Sequence, residues 1–351
     1  MTESLRVRLG AEAFTKHVGG VRRVALELAS ALSSAGIDVS ADRRLLERVG
    51  MSTTQPNGLA RMRLQAAEFI FPLRSSERSR PGVHHALYYD FLLPTSRWPI
   101  VSTIHDMIHE VFGEGTSRLT LAKRQSVRNA KAIVAISETT AADAQRILHI
   151  NAPIHVVPHG ISATFLADKV GAAPALGLSD ELLFVGSRGG YKNFELLLEV
   201  LATDARLRDL RLTIVGGGVP VVQELAHWRE RLGEHRVHFA GRVTDEELRD
   251  LYSRSAAFVL PSRYEGFGLP VLEAMAVGCP VACSTGGSLL EVAAGHAQMF
   301  DAGSARQCAD AILSAISVGQ EEQRAARAYA HEFTWERAAQ KYRSIYELIL
   351  E

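Results

Sequence analysis

Short apolar runs alternate with helical segments along most of this 351-residue chain, and this alternation limits its fold more than any other feature. The runs are rich in β-branched residues and have few polar interruptions, which predicts strands buried on both faces. They cover residues 99–104, 132–137, 154–158, 182–186, 212–216, 237–241, 257–261 and 281–284. Strands of this kind, separated by helices, predict an α/β fold with parallel sheets covered by helices.

The composition narrows the class of protein. The chain is 47% hydrophobic and 22% charged, and 39 basic residues balance 39 acidic ones. A formal net charge of zero provides no field that would attract nucleic acid, so no nucleic-acid partner is expected. The three cysteines form no CxxC pair, which argues against a disulfide framework and a zinc site. We therefore expect a cytoplasmic protein of about two domains.

Targeting segments are not expected either. Arg6 and Arg8 interrupt the apolar start of the chain, so we predict no signal peptide. No run of about 18 apolar residues is present to span a membrane. A Gly/Ala/Pro-rich stretch at residues 170–177 interrupts the strand and helix pattern and is the natural linker. It predicts one domain over residues 1–168 and a second over residues 178–333.

Two glutamates eight positions apart, Glu265 and Glu273, frame a Gly-Phe-Gly turn. Pro270 suits the first helical position, so Glu273 should lie one turn inside the helix and Glu265 on the loop. The N–H groups of such a loop and helix start favour a bound anion. The two carboxylates would accept hydrogen bonds from hydroxyls on either side of the anion. An anion edged with hydroxyls describes a nucleotide sugar.

A second candidate segment contributes positive charge. Arg188 and Lys192 follow a predicted strand and a glycine-rich turn. Cations at this position would stabilise a leaving nucleoside diphosphate as its charge develops. Gly19 and Gly20 precede a predicted helix and would direct backbone N–H groups to the same diphosphate. The alternatives are a solvated loop with two surface cations and an ordinary pair of loop glycines.

Five elements in chain order resemble the GT-B glycosyltransferases of family 4, which are retaining transferases that use nucleotide sugars. The elements are Gly19-Gly20-Val21, His105-Asp106, Ser137, residues 186–193 and residues 265–273. The resemblance covers nearly the whole chain. It implies two Rossmann-like domains facing a central cleft, with the acceptor bound by residues 1–168 and the nucleotide sugar by residues 178–333. It also implies that a final helix within residues 334–351 crosses back onto the N-terminal domain.

The resemblance implies roles for individual residues. Glu273 would bind the ribose hydroxyls, while Glu265 and His105 would lie at the transferred sugar. The backbone of Gly266, Phe267, Gly268 and Leu269 would hold the sugar hydroxyls and the phosphate. The base is expected at Arg242 and Val243, at the end of a predicted strand. Alternatives remain for the charged residues: a loop-stabilising Glu265, a Glu273 favoured only by the helix dipole, and a His105 satisfied within the core. The spacing of Arg188 and Lys192 and the presence of His159 instead of asparagine depart from the family pattern.

The implied mechanism needs neither cofactor nor metal. A front-face route is usual for the family: the leaving phosphate accepts the proton of the incoming hydroxyl, and the protein supplies position and charge. The sequence contains no Asp-x-Asp pattern of the kind that holds a divalent metal against a diphosphate. Arg188 and Lys192 would replace the metal, and turnover is predicted to survive a chelator.

The substrates are less defined by the sequence. The loop at residues 187–193 is similar to those of bacterial surface-polysaccharide enzymes, which favours a GDP-linked hexose such as mannose over UDP and dTDP donors. A glycan or lipid-linked saccharide is the expected acceptor, and a soluble natural-product acceptor is the alternative. Residues 41–80 carry eight arginines against four acids, and residues 118–131 carry five cations and no acid. Such segments suit either peripheral contact with the inner membrane or a solvated surface.

Three other classes of protein are weaker readings. A nucleotide-sugar epimerase on the same fold would need catalytic carboxylates and no second substrate. A nicotinamide oxidoreductase would need Gly216, Gly217 and Gly218 to begin its fingerprint, but the third glycine of that motif falls at Val221. A non-catalytic sugar-binding protein would bind nucleotide without turnover.

Overall fold

The computed structural model describes residues 5–10, 20–41, 82–88, 98–113, 118–150, 152–167 and 179–351. Three features of the sequence lie outside the described residues. They are Gly19, the predicted linker at 170–177, and nearly all of the basic segment at 41–80.

Within the described ranges, twelve strands form two parallel sheets of six strands each. The first sheet has the order β2-β1-β3-β4-β5-β6. Its strands are β1 (Arg6–Leu9), β2 (Asp38–Ala41), β3 (Val83–Ala86), β4 (Ile100–Ile104), β5 (Ala132–Ala135) and β6 (Ile154–Val156). The second sheet has the order β12-β11-β10-β7-β8-β9. Its strands are β7 (Glu181–Val185), β8 (Arg211–Val215), β9 (Val237–Gly241), β10 (Ala257–Leu260), β11 (Val281–Ser284) and β12 (Gln298–Phe300).

Helices alternate with these strands along the chain. Those before the second sheet are α1 (Gly20–Ser34), α2 (Ile108–Val111), α3 (Arg118–Asn129), α4 (Glu138–Leu148) and α5 (Ala163–Leu166). The later helices are α6 (Phe194–Thr203), α7 (Val222–Leu232), α8 (Asp245–Arg254), α9 (Leu269–Val277), α10 (Leu289–Ala293), α11 (Ala305–Ile316), α12 (Gln320–Ala330) and α13 (Trp335–Leu350). None of these described helices combines the length and apolar character needed to cross a bilayer.

The chain divides into two compact units. The first unit contains Met1–Gly160 together with Trp335–Glu351, and the second contains Ile161–Thr334. Each unit holds one of the two sheets. The predicted α/β fold with two parallel sheets is confirmed, and so is the return of the final helix to the N-terminal part of the chain.

A buried polar cluster fixes helix α13 in the first unit. The His85 ring on β3 is hydrogen-bonded to Tyr346 Oη on α13 and to Thr103 Oγ1 on β4, both at 2.7 Å. Tyr342 Oη lies 3.3 Å from the same threonine hydroxyl. Burial lowers the pKa of His85 to about 3, with further contributions from His84 and His105, so its ring is neutral in the folded protein.

The eight predicted strands are all present, with bounds that differ by at most two residues. Four short strands, β1, β2, β3 and β12, were not predicted. Strand β1 alternates two arginines with the fully buried Val7 and Leu9, so it lacks a continuous apolar run. Strand β3 contains His84 and His85 but is buried throughout. Polar residues within these strands, and their short length, therefore concealed them from a search for apolar runs.

The order of the second sheet brings four loops to one edge. Strands β10, β7, β8 and β9 are neighbours and parallel. Beyond the strand ends, Gly186 N donates to Val215 O and Gly216 N donates to Gly241 O, each at 2.9 Å. The segments that follow these strands therefore meet at the carboxyl edge, where open parallel sheets bind ligands.

Candidate active site

Lys192 and Glu265 form a mostly buried ion pair at this edge. Lys192 Nζ lies 2.7 Å from Glu265 Oε1, and the two side chains are 13% and 10% exposed. Ser262 Oγ donates to the same carboxylate oxygen at 2.5 Å. Burial alone would lower the pKa of Lys192. The charges of Glu265 and Tyr191, together with the hydrogen bond to Glu265, outweigh burial, and the pKa is raised. Lys192 is thus a fixed cation at neutral pH.

The turn before helix α6 positions Lys192. The lysine ends a 3₁₀ turn, Gly190–Lys192. Its side chain passes over Gly186, because a Cβ added to that glycine would lie 3.5 Å from Lys192 Cε. Asn193 follows with a left-handed backbone, φ 54°, which asparagine tolerates better than most residues. Its amide donates to Pro261 O at 3.1 Å and Ala302 O at 2.8 Å. The Lys-Asn pair therefore ties this turn to the loops after β10 and β12.

A second glycine-rich segment supports the Glu265 loop. Ser288 donates through both N and Oγ to Glu265 O at 3.0 Å, and its Oγ donates to Phe267 O at 2.9 Å. Gly286 and Gly287 pack so closely on the backbone of the Glu265 loop that a Cβ at either position would overlap it. The sequence did not lead us to expect that Gly286, Gly287 and Ser288 support the Glu265 loop. The feature that could have indicated this contact is the glycine pair between Ser284 and Ser288, just after a predicted strand.

The start of helix α9 places Glu273 in the interior. Gly268 precedes the helix with φ 104°, and a Cβ there would lie 2.7 Å from Leu289 Cδ2. Pro270 is the second helical residue rather than the first, and Glu273 lies one turn in, as predicted. Glu273 is 2% exposed, and Tyr252 Oη donates to its Oε2 at 3.5 Å. A carboxylate this buried and beyond the first turn gains little from the helix dipole, and the predicted ribose contact of Glu273 stays a prediction.

Arg188 lies on the β8 side of the same edge, but its partners are protein groups. Its guanidinium pairs with Glu224 at 3.2 Å and donates to the carbonyls of Gly216 and Gly218. The side chain is 8% exposed. The remaining residues implied at this edge follow β9: Arg242 is exposed and Val243 is half-buried. The structure thus joins Lys192 to Glu265 and holds Arg188 apart from that pair in contacts of its own.

His105 belongs to the first unit. It follows β4 and is 7% exposed, and its Nε2 donates to Leu87 O. Its ring centroid lies 5.4 Å from that of His159, whose ring is 5.5 Å from Trp335. Burial, followed by the charge of His105, holds the pKa of His159 well below its usual value. His105 is therefore part of a buried ring cluster, and its predicted contact with a sugar stays a prediction.

Lys123 holds the segment after His105. The lysine is fully buried and donates to Asp106 O at 2.8 Å and to Glu110 Oε2 at 2.7 Å. Asp106 Oδ1 accepts from Ile108 N at 3.1 Å, at the start of helix α2. Lys131 is exposed, but its Nζ donates to Ile349 O at the end of helix α13. Two of the five cations at residues 118–131 therefore bond to groups of the first unit itself, and one of them, Lys123, is buried.

Other predicted features have defined positions. Gly20 is the exposed first residue of helix α1. Ser137 caps helix α4, with its Oγ accepting from Thr140 N at 3.0 Å. Among the residues that the structure describes, no three His, Cys, Asp or Glu side chains converge in a group suited to a metal ion.

Curated relatives of this chain include glycosyltransferases of bacterial surface polysaccharides. The O-antigen chain mannosyltransferase B of Escherichia coli is 27% identical over 281 residues, which cover 74% of this chain and 73% of that protein. The lipopolysaccharide core biosynthesis mannosyltransferase LpsB of Rhizobium meliloti is 32% identical over 184 residues, which cover 49% of this chain and 50% of LpsB.

Solved structures share the fold over nearly the full length. The sucrose-phosphate synthase of Thermosynechococcus elongatus has a TM-score of 0.74 at 19% identity, and the match covers 98% of this chain and 99% of the synthase chain. WaaG, a glycosyltransferase involved in lipopolysaccharide biosynthesis, has a TM-score of 0.68 at 16% identity, with coverage of 97% and 99%. Anabaena Alr3699/HepE in complex with UDP has a TM-score of 0.73 at 17% identity, with coverage of 98% and 100%.

Two family models match adjoining parts of the chain. The model for Glycosyltransferase Family 4 matches residues 18–165, and the model for Glycosyl transferases group 1 matches residues 177–333. Together they account for most of the sequence, and the folds of the two units agree with them. The chain therefore belongs to the family 4 glycosyltransferases and has their GT-B fold.

Proposed function

We propose that this protein is a retaining, metal-independent hexosyltransferase. It would move a hexosyl group from a nucleoside diphosphate sugar to a hydroxyl of a glycan or lipid-linked saccharide in surface-polysaccharide biosynthesis. The second unit would bind the donor and the first unit the acceptor. The ion pair between Lys192 and Glu265 carries the proposal, because a retained cation and a carboxylate lie together at the carboxyl edge of the second sheet, where open parallel sheets commonly bind ligands.

The pair supplies what donor cleavage requires. The diphosphate of the donor offers Lys192 a stronger anion than one carboxylate, and the lysine stays charged to receive it. As the bond from the sugar to phosphate breaks, negative charge grows on the leaving group and its interaction with Lys192 strengthens. Glu265, released from the lysine, can accept hydrogen bonds from sugar hydroxyls.

Retention is proposed without a covalent intermediate. The C–O bond to the leaving phosphate breaks while the acceptor oxygen forms a C–O bond on the same face of the sugar. The acceptor proton passes to a phosphate oxygen. The protein would contribute orientation and charge to this step. Glu273 would bind the ribose hydroxyls, and the backbone of residues 266–269 would hold the sugar and phosphate.

The donor is proposed to be a GDP-linked hexose such as mannose. Two relatives are named mannosyltransferases, which supports the sugar, whereas the UDP complex of Alr3699/HepE supports a different base for that protein. Thermal-shift measurements with GDP, UDP and dTDP will identify the base, since a ligand stabilises the folded protein that binds it. No shift with any nucleotide would contradict the proposal.

Turnover with the selected nucleotide sugar then tests the chemistry. NMR of the product should show the anomeric configuration of the donor, and the rate should persist in excess EDTA. Inversion or loss of the rate with chelator would refute the corresponding part of the mechanism. Flotation with anionic liposomes tests whether the exposed Arg124 and Arg128 on helix α3 bring the enzyme to a membrane surface.

A further inference from the structure

We propose that Arg188 is a positioning residue for the nucleoside, and that it acts by holding the Gly216–Gly218 turn instead of binding the diphosphate. The inference rests on the proposed function and on the expected contact of the base with Arg242 and Val243, which follow β9. It assigns the two cations of the loop after β7 to different parts of the donor. Lys192 serves the diphosphate and Arg188 the nucleoside.

The hydrogen bonds of Arg188 are the first observation. Its Nη1 donates to Gly216 O at 3.1 Å and to Gly218 O at 3.0 Å. Its Nε and Nη2 donate to the two carboxylate oxygens of Glu224 at 3.4 Å and 3.2 Å. These bonds use four of the five N–H groups of a guanidinium. Little capacity is left for the two or three oxygens of a phosphate.

Aromatic rings and a helix start fix the guanidinium in this orientation. Its central carbon lies 5.3 Å from the ring centroids of both Trp228 and Phe239. Glu224 also accepts from Val221 N at 2.9 Å, at the start of helix α7, and its bond to Arg188 helps to hold its pKa below the usual value. The arginine is thus anchored by a carboxylate that is itself part of a helix cap, and its planar group is suited to such a forked contact.

The turn beneath Arg188 has an unusual backbone. Gly216, Gly217 and Gly218 have φ values of 89°, 72° and 77°, a conformation that glycine adopts without strain. A Cβ on Gly217 would lie 2.7 Å from Arg188 Nη1 and 3.0 Å from Gly186 O. Three consecutive left-handed residues direct two carbonyls towards one cation. Without Arg188, the carbonyls of Gly216 and Gly218 would lose the hydrogen-bond donor that they share.

The turn is coupled to the candidate nucleoside loop by the sheet. Gly216 N donates to Gly241 O at 2.9 Å, and Gly241 directly precedes Arg242 and Val243. A shift of the turn therefore moves the end of β9, where the base is proposed to bind. By contrast, Lys192 contacts Glu265 on the β10 side of the edge.

Paired binding measurements separate the two cations. Dissociation constants for GDP and guanosine, or for the diphosphate and nucleoside of whichever base the thermal-shift panel selects, are measured by calorimetry or competition. We expect R188A to weaken both ligands by the same factor, roughly tenfold or more given the several charged hydrogen bonds lost. We expect K192A to weaken the diphosphate and to leave the nucleoside within about twofold, since the nucleoside carries no phosphate charge.

Two glycine variants provide a matched control. G217A and G218A both force a side chain into a positive-φ position. Only the new methyl group at 217 meets neighbours, Arg188 Nη1 at 2.7 Å and Gly186 O at 3.0 Å, since nothing lies within 4 Å of a Cβ at 218. G217A should therefore weaken nucleoside binding more than G218A. Equal effects of the two variants would contradict the role of the contact with Arg188.

The outcomes decide between the roles. If R188A weakens the diphosphate and leaves the nucleoside unchanged, or changes neither, the inference is overturned while the proposed function stands. If the parent binds no nucleotide, both fall. Should R188A fail to fold, R188K and E224Q carry the test. Lysine keeps the charge but cannot form the forked contact, so R188K should also weaken the nucleoside, whereas a phosphate-binding charge would be largely restored by it.

Discussion

Removing the Lys192 ammonium tests the central ion pair, and the substitution Lys192→Ala is expected to have two separable effects. In the parent, the Glu265 carboxylate is 10% exposed and contacts both Lys192 Nζ and Ser262 Oγ. The variant removes the first of these two contacts. Breaking a buried pair by removing one partner typically costs about 3–5 kcal/mol, because the other charge stays buried. The free energy of unfolding should fall by that amount.

The same substitution should weaken nucleotide binding. A lost hydrogen bond to a charged group corresponds to about 1.5–3 kcal/mol, and this is an affinity loss of roughly ten- to 150-fold for the nucleoside diphosphate. The double variant K192A/E265Q separates the two effects. It removes the unpaired charge and should recover roughly 2 kcal/mol of stability, but the loss of affinity should remain.

Urea unfolding and calorimetric titration with the selected nucleoside diphosphate measure both quantities on the same samples. The reasoning is refuted if K192A binds the nucleotide as tightly as the parent. It is also refuted if the double variant regains affinity together with stability, because Lys192 would then have acted only by supporting the loop.

Three further predictions follow from buried groups. His85, with its pKa lowered to about 3, binds a proton in the unfolded chain below pH 6.5 but not in the folded protein. The contribution of the neutral His85 ring to stability is therefore complete above pH 6.5 and is lost as the pH falls towards 3. Between pH 6.5 and 3, His85→Gln should reduce the pH slope of the unfolding free energy by about 1.4 kcal/mol per pH unit. Burial raises the pKa of Cys279, Cys283 and Cys308 to about 12, so a disulfide reagent at pH 8 should label them only after unfolding; rapid labelling of the native protein would contradict their burial. Glu273→Gln should lower nucleotide affinity by roughly tenfold with a stability change of about 1 kcal/mol or less, and an unchanged affinity would remove Glu273 from the proposed ribose contacts.

The sequence predicted the parts of the fold that depend on apolar patterning. Continuous apolar runs located three strands of the first sheet and five of the second, since a strand buried on both faces leaves that signature. Strand β3 escaped because its buried histidine is satisfied by a threonine and by a tyrosine from helix α13, about 260 positions later in the chain. A local pattern contains no information about such a distant partner.

The candidate site was predictable where residue type and backbone requirement coincide. Glu265, Gly268 and Glu273 could be placed because a loop, a left-handed glycine and a helix start follow one another in a short segment. The partners of Arg188 could not be foreseen, since Glu224 lies 36 positions away and reaches it only after β8 has paired with β7. The support from Ser288 depends in the same way on β11 lying beside β10.

The position of helix α13 has a consequence for biosynthesis. The residues of the first sheet emerge from the ribosome early, but Tyr342 and Tyr346, which complete the surroundings of His85, are translated only after the entire second unit. At about 5–20 residues per second, the roughly 170 intervening residues require on the order of 10–35 seconds. During that interval the nascent first unit lacks one covering helix, so its fold can be completed only after the whole second unit has been synthesised.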